Sequence, residues 1–211
     1  MYIDNEKKYI FFHTPKTGGN SIISMLLGDR KNRMETILCL LKRRGVSVSY
    51  VGNMPHVGGR KAVHLTYSDL IRYIDGGEWL SYYKFCFTRH PRTHFYSLYR
   101  QLVSVIKNPP SFKEWAKSYR GDPQCSRFTH HKGCQVMDFI GKQETFSSSA
   151  QELCDILKIE YRDVWKNRRT EGIDIDAEYD AETELIMQRL YKSDFKLFDY
   201  KMRDADERRA E

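Results

Sequence analysis

The sequence predicts an α/β fold, a single domain in which a central parallel sheet is flanked by helices. Two observations support this: a short apolar run ends at a polar turn and gives way to a helix pattern, at residues 8–27 and again at 82–105. Strands that alternate with helices build parallel sheets. We therefore expect one domain over residues 1–211, with a core at about 8–200 and a solvated tail at 201–211.

The first strand–helix junction lies within YIFFHTPKTGGNSI, residues 9–22. The apolar run at 8–13 is too short for a helix and stops at a proline, which predicts a buried strand. Residues 19–27 carry apolar side chains on one helical face, which predicts a helix that begins at the glycine pair. A lysine and two glycines therefore lie between a strand and a helix.

This junction has the composition of an anion-binding loop. A glycine turn that opens into a helix presents unpaired backbone N–H groups and the positive end of the helix dipole, and the lysine adds a full charge. The nucleotide-hydrolysing P-loop has lysine after its glycines, whereas lysine precedes them here, so hydrolysis of a nucleoside triphosphate does not follow. The candidate residues are Lys16, Thr17, Gly18, Gly19, Asn20 and Ser21.

The segment between the junctions is basic. From position 28 to position 61, eight basic residues stand against two acidic ones, which favours either a solvated face or an anionic partner. The local patterns predict helices at 34–44 and 68–74, the second capped by Ser68, strands at 46–51 and 62–65, and a loop at 52–59.

The second junction is FCFTRHPRTHFYSLYRQ, residues 85–101. The aromatic run at 82–88 predicts a strand, and a helix pattern follows it. Arg89 comes directly after this strand, and Ser97 lies eight residues later in the helix. An arginine binds a phosphate through paired hydrogen bonds, and a hydroxyl can complete such a site. The rest of the chain is predicted to be mainly helical, at 111–119, 148–157 and 180–191.

Together the junctions resemble the 3′-phosphoadenosine-5′-phosphosulfate (PAPS)-dependent sulfotransferases, in particular the carbohydrate-type branch that includes heparan sulfate 2-O-sulfotransferases and small bacterial members. HTPKTGGNSI resembles the 5′-phosphosulfate loop of that family, and FTRHPRTHFYSLYR resembles its 3′-phosphate motif. VHLTYSDL, CQVMDFIGKQET and LYKSDFKLFDY extend the resemblance over about residues 8–200. Asn20 departs from the family, which commonly has threonine or serine there.

The resemblance implies a P-loop-like phosphosulfate-binding loop after the first strand and transfer of the sulfuryl group of PAPS to an acceptor hydroxyl. Lys16 is then expected to contact the bridging oxygen and the sulfuryl group, and the backbone of residues 17–21 to surround the 5′-phosphate. Arg89 and Ser97 are expected to hold the 3′-phosphate. No metal is expected, because the donor is already activated. A polar loop at 167–172 is expected to close over the nucleotide through Arg168 and Arg169.

Transfer also needs a group that removes the proton of the acceptor hydroxyl, and histidine is suited to this by its near-neutral pKa. His64 is the first candidate, because it lies at a predicted strand end and resembles the histidine of the family in VHLTYSDL. A packing role for His64 and a catalytic role for His56 stay open. The resemblance favours a glycan acceptor, anionic if the basic segment faces it; a protein tyrosine or a small alcohol is an open alternative. The predicted acceptor-binding residues are His56, Arg60, Lys61 and His131.

Other classes of protein are less favoured. The position of Lys16 disfavours a P-loop kinase of small molecules, and the absence of aromatic residues at 30–44 disfavours a nucleic-acid-binding module. No apolar run is long enough to span a bilayer and no signal peptide is visible, which predicts a cytoplasmic enzyme. One cluster of cysteines and histidines lies within ten residues: Cys125, His130, His131 and Cys134. Three interpretations of this cluster stay open, namely a zinc site, a disulfide and a loop without a ligand.

Overall fold

The chain has an α/β fold with a four-stranded mixed sheet and several helices, which confirms the predicted fold class at that level. It divides into two compact units, Met1–Thr88 with Ser126–Arg168 (the first unit) and Arg89–Cys125 with Arg169–Glu211 (the second unit). The predicted single sulfotransferase domain stays a prediction. The computed structural model describes residues 1–27, 41–43, 45–51, 54–73, 78–128, 136–163 and 174–203.

The described strands and helices follow one another in chain order. The strands are β1 (Tyr2–Asp4), β2 (Tyr9–Phe12), β3 (Ser49–Val51), β4 (Met54–Val57), β5 (Arg60–Lys61), β6 (Tyr83–Thr88) and β7 (Phe139–Lys142). The helices are α1 (Gly19–Leu27), α2 (Tyr67–Tyr73), α3 (Pro91–Val103), α4 (Phe112–Ser118), α5 (Phe146–Leu157), α6 (Ile175–Glu178), α7 (Ala181–Leu190) and α8 (Lys192–Leu197). Within the described residues, 3₁₀ turns lie at Ala62–His64, Glu78–Ser81, Gln124–Arg127 and Gln143–Thr145.

The main sheet of the first unit has the strand order β1-β2-β6-β7. β2 and β6 are parallel, with Phe12 opposite Cys86, and β6 and β7 are parallel, with Cys86 opposite Ile140. The carboxyl ends of these three strands therefore share one edge, where ligands of such sheets collect. The predicted parallel sheet is correct for these strands and wrong for β1, which is antiparallel to β2.

Strand β1 also corrects the expectation that the core begins at about residue 8. Tyr2 pairs with Phe11, and the Asp4 carboxylate accepts the backbone N–H groups of Glu6 and Lys7, each at 3.0 Å. Lys8, with φ 56°, completes the turn into β2. Three residues are too few for a periodic pattern, so only the pairing with β2 makes this segment a strand.

An aromatic core fixes the main sheet. Phe11 and Phe85, on the adjacent strands β2 and β6, stack with ring centroids 5.3 Å apart. Ile22 of α1 and Leu153 of α5 are buried in the same cluster. Helices α1 and α5 thus cover the sheet, and the helix predicted at 148–157 is confirmed with two further residues at its start.

The segment that precedes α2 differs from its prediction. Residues 54–57, predicted as loop, form the middle strand of an antiparallel sheet β3-β4-β5. Residues 62–64, predicted as the end of a strand, form a 3₁₀ turn. Helix α2 is capped by Thr66, whose hydroxyl accepts from the Asp69 N–H at 3.1 Å, and not by Ser68. Most of the helix predicted at 34–44 lies outside the described residues.

The second unit is helical, as predicted. Helices α4 and α7 begin at capping boxes of Ser111 with Glu114 and of Asp180 with Thr183. Their core is aromatic, with Phe95 and Trp115 at 4.7 Å between ring centroids. Residues 204–211 of the predicted tail lie outside the described residues. Among the helices that the structure describes, none has the length and apolarity that crossing a bilayer requires.

Candidate functional site

The loop between β2 and α1 has an unusual backbone. Lys16 has φ 66° and Gly18 has φ 84°, both in the left-handed region, and Thr17 between them does not have a positive φ. Lysine is uncommon in that region, whereas glycine adopts it without a steric penalty. Alternation of this kind turns successive N–H groups towards a common point and forms an anion-binding concavity. The Thr17 hydroxyl donates to the Thr14 carbonyl at 2.9 Å and ties the turn together.

Helix α1 begins directly after this turn. The N–H groups of Ser21 and Ile22 both donate to the Gly18 carbonyl, at 2.9 and 3.2 Å. The N–H groups before them in the helix have no acceptor within it, as at any helix start. The side chains of Thr17 and Ser21 are buried and that of Asn20 is exposed. The loop can therefore offer an anion its backbone N–H groups more readily than the hydroxyls of Thr17 and Ser21.

His13 is a site residue that the sequence analysis missed. A Cβ on Gly19 would overlap the His13 imidazole, so the ring lies against the helix start and requires a glycine there. The same ring lies 4.9 Å from that of His64, between centroids. Within the described part of the chain, His13 Nδ1 and Thr14 Oγ1 are buried without a hydrogen-bond partner. In the sequence, the position of His13 between the predicted strand and the glycine loop could have identified it.

His64 lies in the Ala62–His64 turn and contacts the same loop. Its Nδ1 is 3.4 Å from the His13 carbonyl oxygen, a contact that places the proton on Nδ1 and leaves Nε2 as an acceptor. Arg127 Nη1 donates to the His64 carbonyl at 3.2 Å. Burial, with the Met1 amine and Arg127 adding to it, lowers the pKa of His64 to about 4. The ring is therefore neutral at pH 7 and can accept a proton.

Burial also lowers the pKa of His13 well below its usual value, with the Met1 amine, His64 and Arg127 adding to the effect. Two neutral imidazoles thus lie side by side, and one of them packs on the start of α1. The structure brings the predicted Lys16 loop and the predicted base His64 together through His13, to which neither prediction gave a role.

The predicted acceptor-binding residues are placed in part. His56 of β4 lies opposite Lys61 of β5 in the antiparallel register, so these two residues are cross-strand neighbours. His56 Nδ1 lies 2.9 Å from the Met54 carbonyl, and Lys61 is exposed. Arg60 lies beside Lys61 in β5. The predicted site residues His131, Arg168 and Arg169 lie outside the described residues.

The cysteine–histidine cluster is described only at its first member. Cys125 is buried and lies in the 3₁₀ turn Gln124–Arg127. The other members, His130, His131 and Cys134, fall outside the described residues. Elsewhere in the described chain, histidine, cysteine and carboxylate side chains form no group of three that could hold a metal ion.

In the second unit, Arg89 is buried and its Nε donates to Thr93 Oγ1 at 2.9 Å. Thr93 and Ser97 are four residues apart on α3 and hence share a face of the helix. Ser97 is also buried. Thr93 therefore binds one of the two residues predicted for a 3′-phosphate and shares a helix face with the other, and its spacing of four from each was the signal that could have identified it.

Thr93 also borders a cleft of about 430 Å³ within the second unit. The basic side chains of this cleft are largely paired with acids: Arg92 Nε binds Glu184 at 2.9 Å, and Asp176 binds both Arg92 and Arg203. The cleft is lined by His90, Arg92, Thr93, Ile175, Asp176, Lys201, Met202 and Arg203.

Comparison with models of protein families, with characterised proteins and with solved structures gives no significant match for this chain. The resemblance to PAPS-dependent sulfotransferases therefore rests on the sequence motifs, and the roles that it implies stay predictions.

Proposed function

We propose that this chain is a PAPS-dependent sulfotransferase that transfers the sulfuryl group to an acceptor hydroxyl of a carbohydrate, in the cytoplasm. One observation carries the proposal: the backbone alternates in hand at Lys16 and Gly18 immediately before the start of α1. Such a backbone can surround a phosphate, and it has a lysine built into it. The motif after β6 supports the same ligand, because Arg89 donates to Thr93, which lies on the same face of α3 as Ser97.

In the proposed site the donor is held at its two phosphate ends. The backbone of residues 17–21 binds the 5′-phosphate, and Arg89 with Ser97 binds the 3′-phosphate. Lys16 lies at the bridging oxygen, where negative charge grows as the sulfur–oxygen bond breaks, and a cation placed there in advance lowers the barrier. Arg168 and Arg169 complete the nucleotide site, and the reaction as proposed needs no metal.

His64 is the proposed general base. The acceptor oxygen forms a bond to sulfur, the bond from sulfur to the 5′-phosphate oxygen breaks, and the acceptor proton passes to Nε2 of His64. A pKa of about 4 makes His64 a weak base before substrate binds. The negative charge of a bound phosphosulfate next to His13 and His64 raises the pKa of both rings, because an opposite charge favours the protonated form. Donor binding thus adjusts the base for transfer.

The proposed acceptor is a glycan, steered to the site by basic residues of the β4–β5 hairpin. Lys61 is exposed and lies opposite His56. Attraction of an anionic glycan acts over roughly a Debye length, ~8 Å at physiological salt.

The double variant Arg60→Ala/Lys61→Ala should raise the acceptor KM and weaken its salt dependence without changing affinity for PAPS. Equal use of neutral sugars and unchanged kinetics of the variant would show that the acceptor is not anionic. His56 and His131 complete the proposed acceptor-binding set.

The deciding experiment measures nucleotide binding by calorimetry and transfer from labelled PAPS to a panel of glycans. We expect 3′-phosphoadenosine-5′-phosphate to bind more tightly than ATP, and label to appear on a glycan. Gly19→Ala should abolish binding, because the new methyl group overlaps His13. Gly45→Asn is the matched control, since Gly45 has open space around it and asparagine tolerates its φ of 72°. Tighter binding of ATP with phosphate transfer would indicate a kinase instead, and tight binding of RNA or DNA a nucleic-acid-binding protein.

A further inference from the structure

The backbone of Arg89 is held by a single buried side chain. The Arg89 N–H donates to Gln124 Oε1 at 2.9 Å, and Gln124 Nε2 donates to the Arg89 carbonyl oxygen at 2.8 Å. The amide group of Gln124 therefore binds both polar backbone groups of one residue, as a neighbouring strand would. Gln124 is 1% exposed and Arg89 is 7% exposed, so these bonds are shielded from water.

A buried carboxylate in turn holds Gln124. Asp194 Oδ2 accepts from the Gln124 backbone N–H at 2.9 Å and from Nε2 at 3.2 Å, and Oδ1 accepts from the Cys125 N–H at 2.9 Å. Asp194 is 0% exposed, and burial raises its pKa. A carboxylate at such a position is costly unless donors surround it, as they do here. Gln124 can therefore orient its amide in one way only, with the oxygen towards the Arg89 N–H.

The Arg89 side chain is fixed at a second point by the bond from Nε to Thr93. With the backbone and Nε both held, the direction of the terminal guanidinium nitrogens is set before a ligand arrives. Paired binding of a phosphate depends on that direction, and ordering the side chain in advance removes a cost of binding.

We propose that Gln124 and Asp194 are positioning residues that orient Arg89 and thereby set the preference for a nucleotide with a 3′-phosphate. The proposal rests on the function proposed above. It adds two residues to which the resemblance assigns no role, and it assigns a task to a buried carboxylate that the transfer chemistry does not use.

The main test is Gln124→Glu, which keeps the size of the side chain and replaces the donor Nε2 by an oxygen facing the Arg89 carbonyl and Asp194. Affinity for 3′-phosphoadenosine-5′-phosphate should fall at least about tenfold, whereas affinity for adenosine 5′-phosphate should change little. Gln151→Glu is the matched control, because the exposed Gln151 amide also donates to a carboxylate, that of Asp155, at 3.0 Å. Equal losses for both nucleotides would overturn the proposal.

A double-mutant cycle separates orientation of Arg89 from general destabilisation. In an Arg89→Ala background, Gln124→Glu should cause no further loss of affinity, because the side chain that it orients is gone. Additive losses would contradict the proposal. Asp194→Asn is the second variant, for use if Gln124→Glu does not fold, and it should show the same selective loss and the same dependence on Arg89.

Failure of the proposed function would be recognised separately. If the wild-type chain does not bind 3′-phosphoadenosine-5′-phosphate, the sulfotransferase proposal is wrong. The positioning role is then still tested without nucleotide, by hydrogen exchange of the Arg89 backbone N–H and Nε–H in NMR spectra. Both should exchange about tenfold or more faster in Gln124→Glu than in the wild type. Equal exchange rates would overturn the positioning role.

Discussion

The two strand–helix junctions differ in the groups that they offer a ligand: backbone N–H groups in the first and side chains in the second. The junction after β2 is distinguished by its backbone: Lys16 and Gly18 have a positive φ directly before the start of α1, and the backbone N–H groups are its proposed donors. The junction after β6, residues 85–101, contains no glycine and relies on side chains. Its Arg89 is bound by Gln124, which lies 35 positions away in the sequence. Gln124 is in turn bound by Asp194, 70 positions further on. A backbone site is thus specified by adjacent residues, whereas a side-chain site depends on distant ones.

The largest expected effect falls on the backbone junction. Lys16→Ala should reduce single-turnover transfer by roughly 10³–10⁵-fold, the range that a cation at the transition-state charge contributes in phosphoryl transfer. Binding of 3′-phosphoadenosine-5′-phosphate should fall less, because the backbone N–H groups stay in place. Lys7→Ala, at an exposed position of the same unit, is the control. Transfer close to the wild-type rate would remove Lys16 from the mechanism.

His64→Ala tests whether the first junction also supplies the base. Turnover should fall by ~10²–10⁴-fold, the usual contribution of general base catalysis, with donor affinity nearly unchanged. Steady-state kinetics with calorimetry on the same variant would measure both effects. A loss of turnover below tenfold would transfer the role to His56 or to a carboxylate.

Arg89→Ala tests the side-chain junction and should act on affinity. A charged hydrogen bond contributes about 1.5–3 kcal/mol, so binding of the 3′-phosphorylated nucleotide should weaken by roughly tenfold to a hundredfold. Ser97→Ala should cause a smaller loss, because a neutral hydroxyl forms a weaker bond. Adenosine 5′-phosphosulfate, which lacks the 3′-phosphate, should bind both variants like the wild type. A similar loss for that nucleotide would contradict the assignment.

The last expected effect concerns the stability of the fold at low pH and not a ligand. The folded state holds the pKa of His64 at about 4 and lowers that of His13, whereas both are near 6.5 in an unfolded chain. Protons thus bind preferentially to the unfolded chain, so stability is complete above about pH 6.5 and decreases as the pH falls towards 4, by up to about 3 kcal/mol for His64. Urea unfolding of wild type and His64→Gln over this range should show a shallower decrease in the variant. Identical slopes would contradict the buried, neutral His64.

The local patterns predicted the elements of both junctions well. The predicted helix 19–27 is α1 without change, and the predicted strands 8–13 and 82–88 contain β2 and β6. They failed at β1 and β4, which have three and four residues and become strands only through pairing. They also placed the cap of α2 at Ser68, because Ser68 and Thr66 are both good caps and only the bond to Asp69 distinguishes them.

The sequence by itself determined where the two junctions lie and predicted an anion-binding loop at the first, because Pro-Lys-Thr-Gly-Gly between an apolar strand and an apolar helix is a pattern of neighbouring residues. The tertiary structure decided which further side chains lie against these junctions. The packing of His13 between Gly19 and His64, the lowered pKa of both imidazoles and the hold of Gln124 on Arg89 all depend on residues far apart in the chain. Burial and the distances between charges arise only when those residues meet, and no local pattern records them.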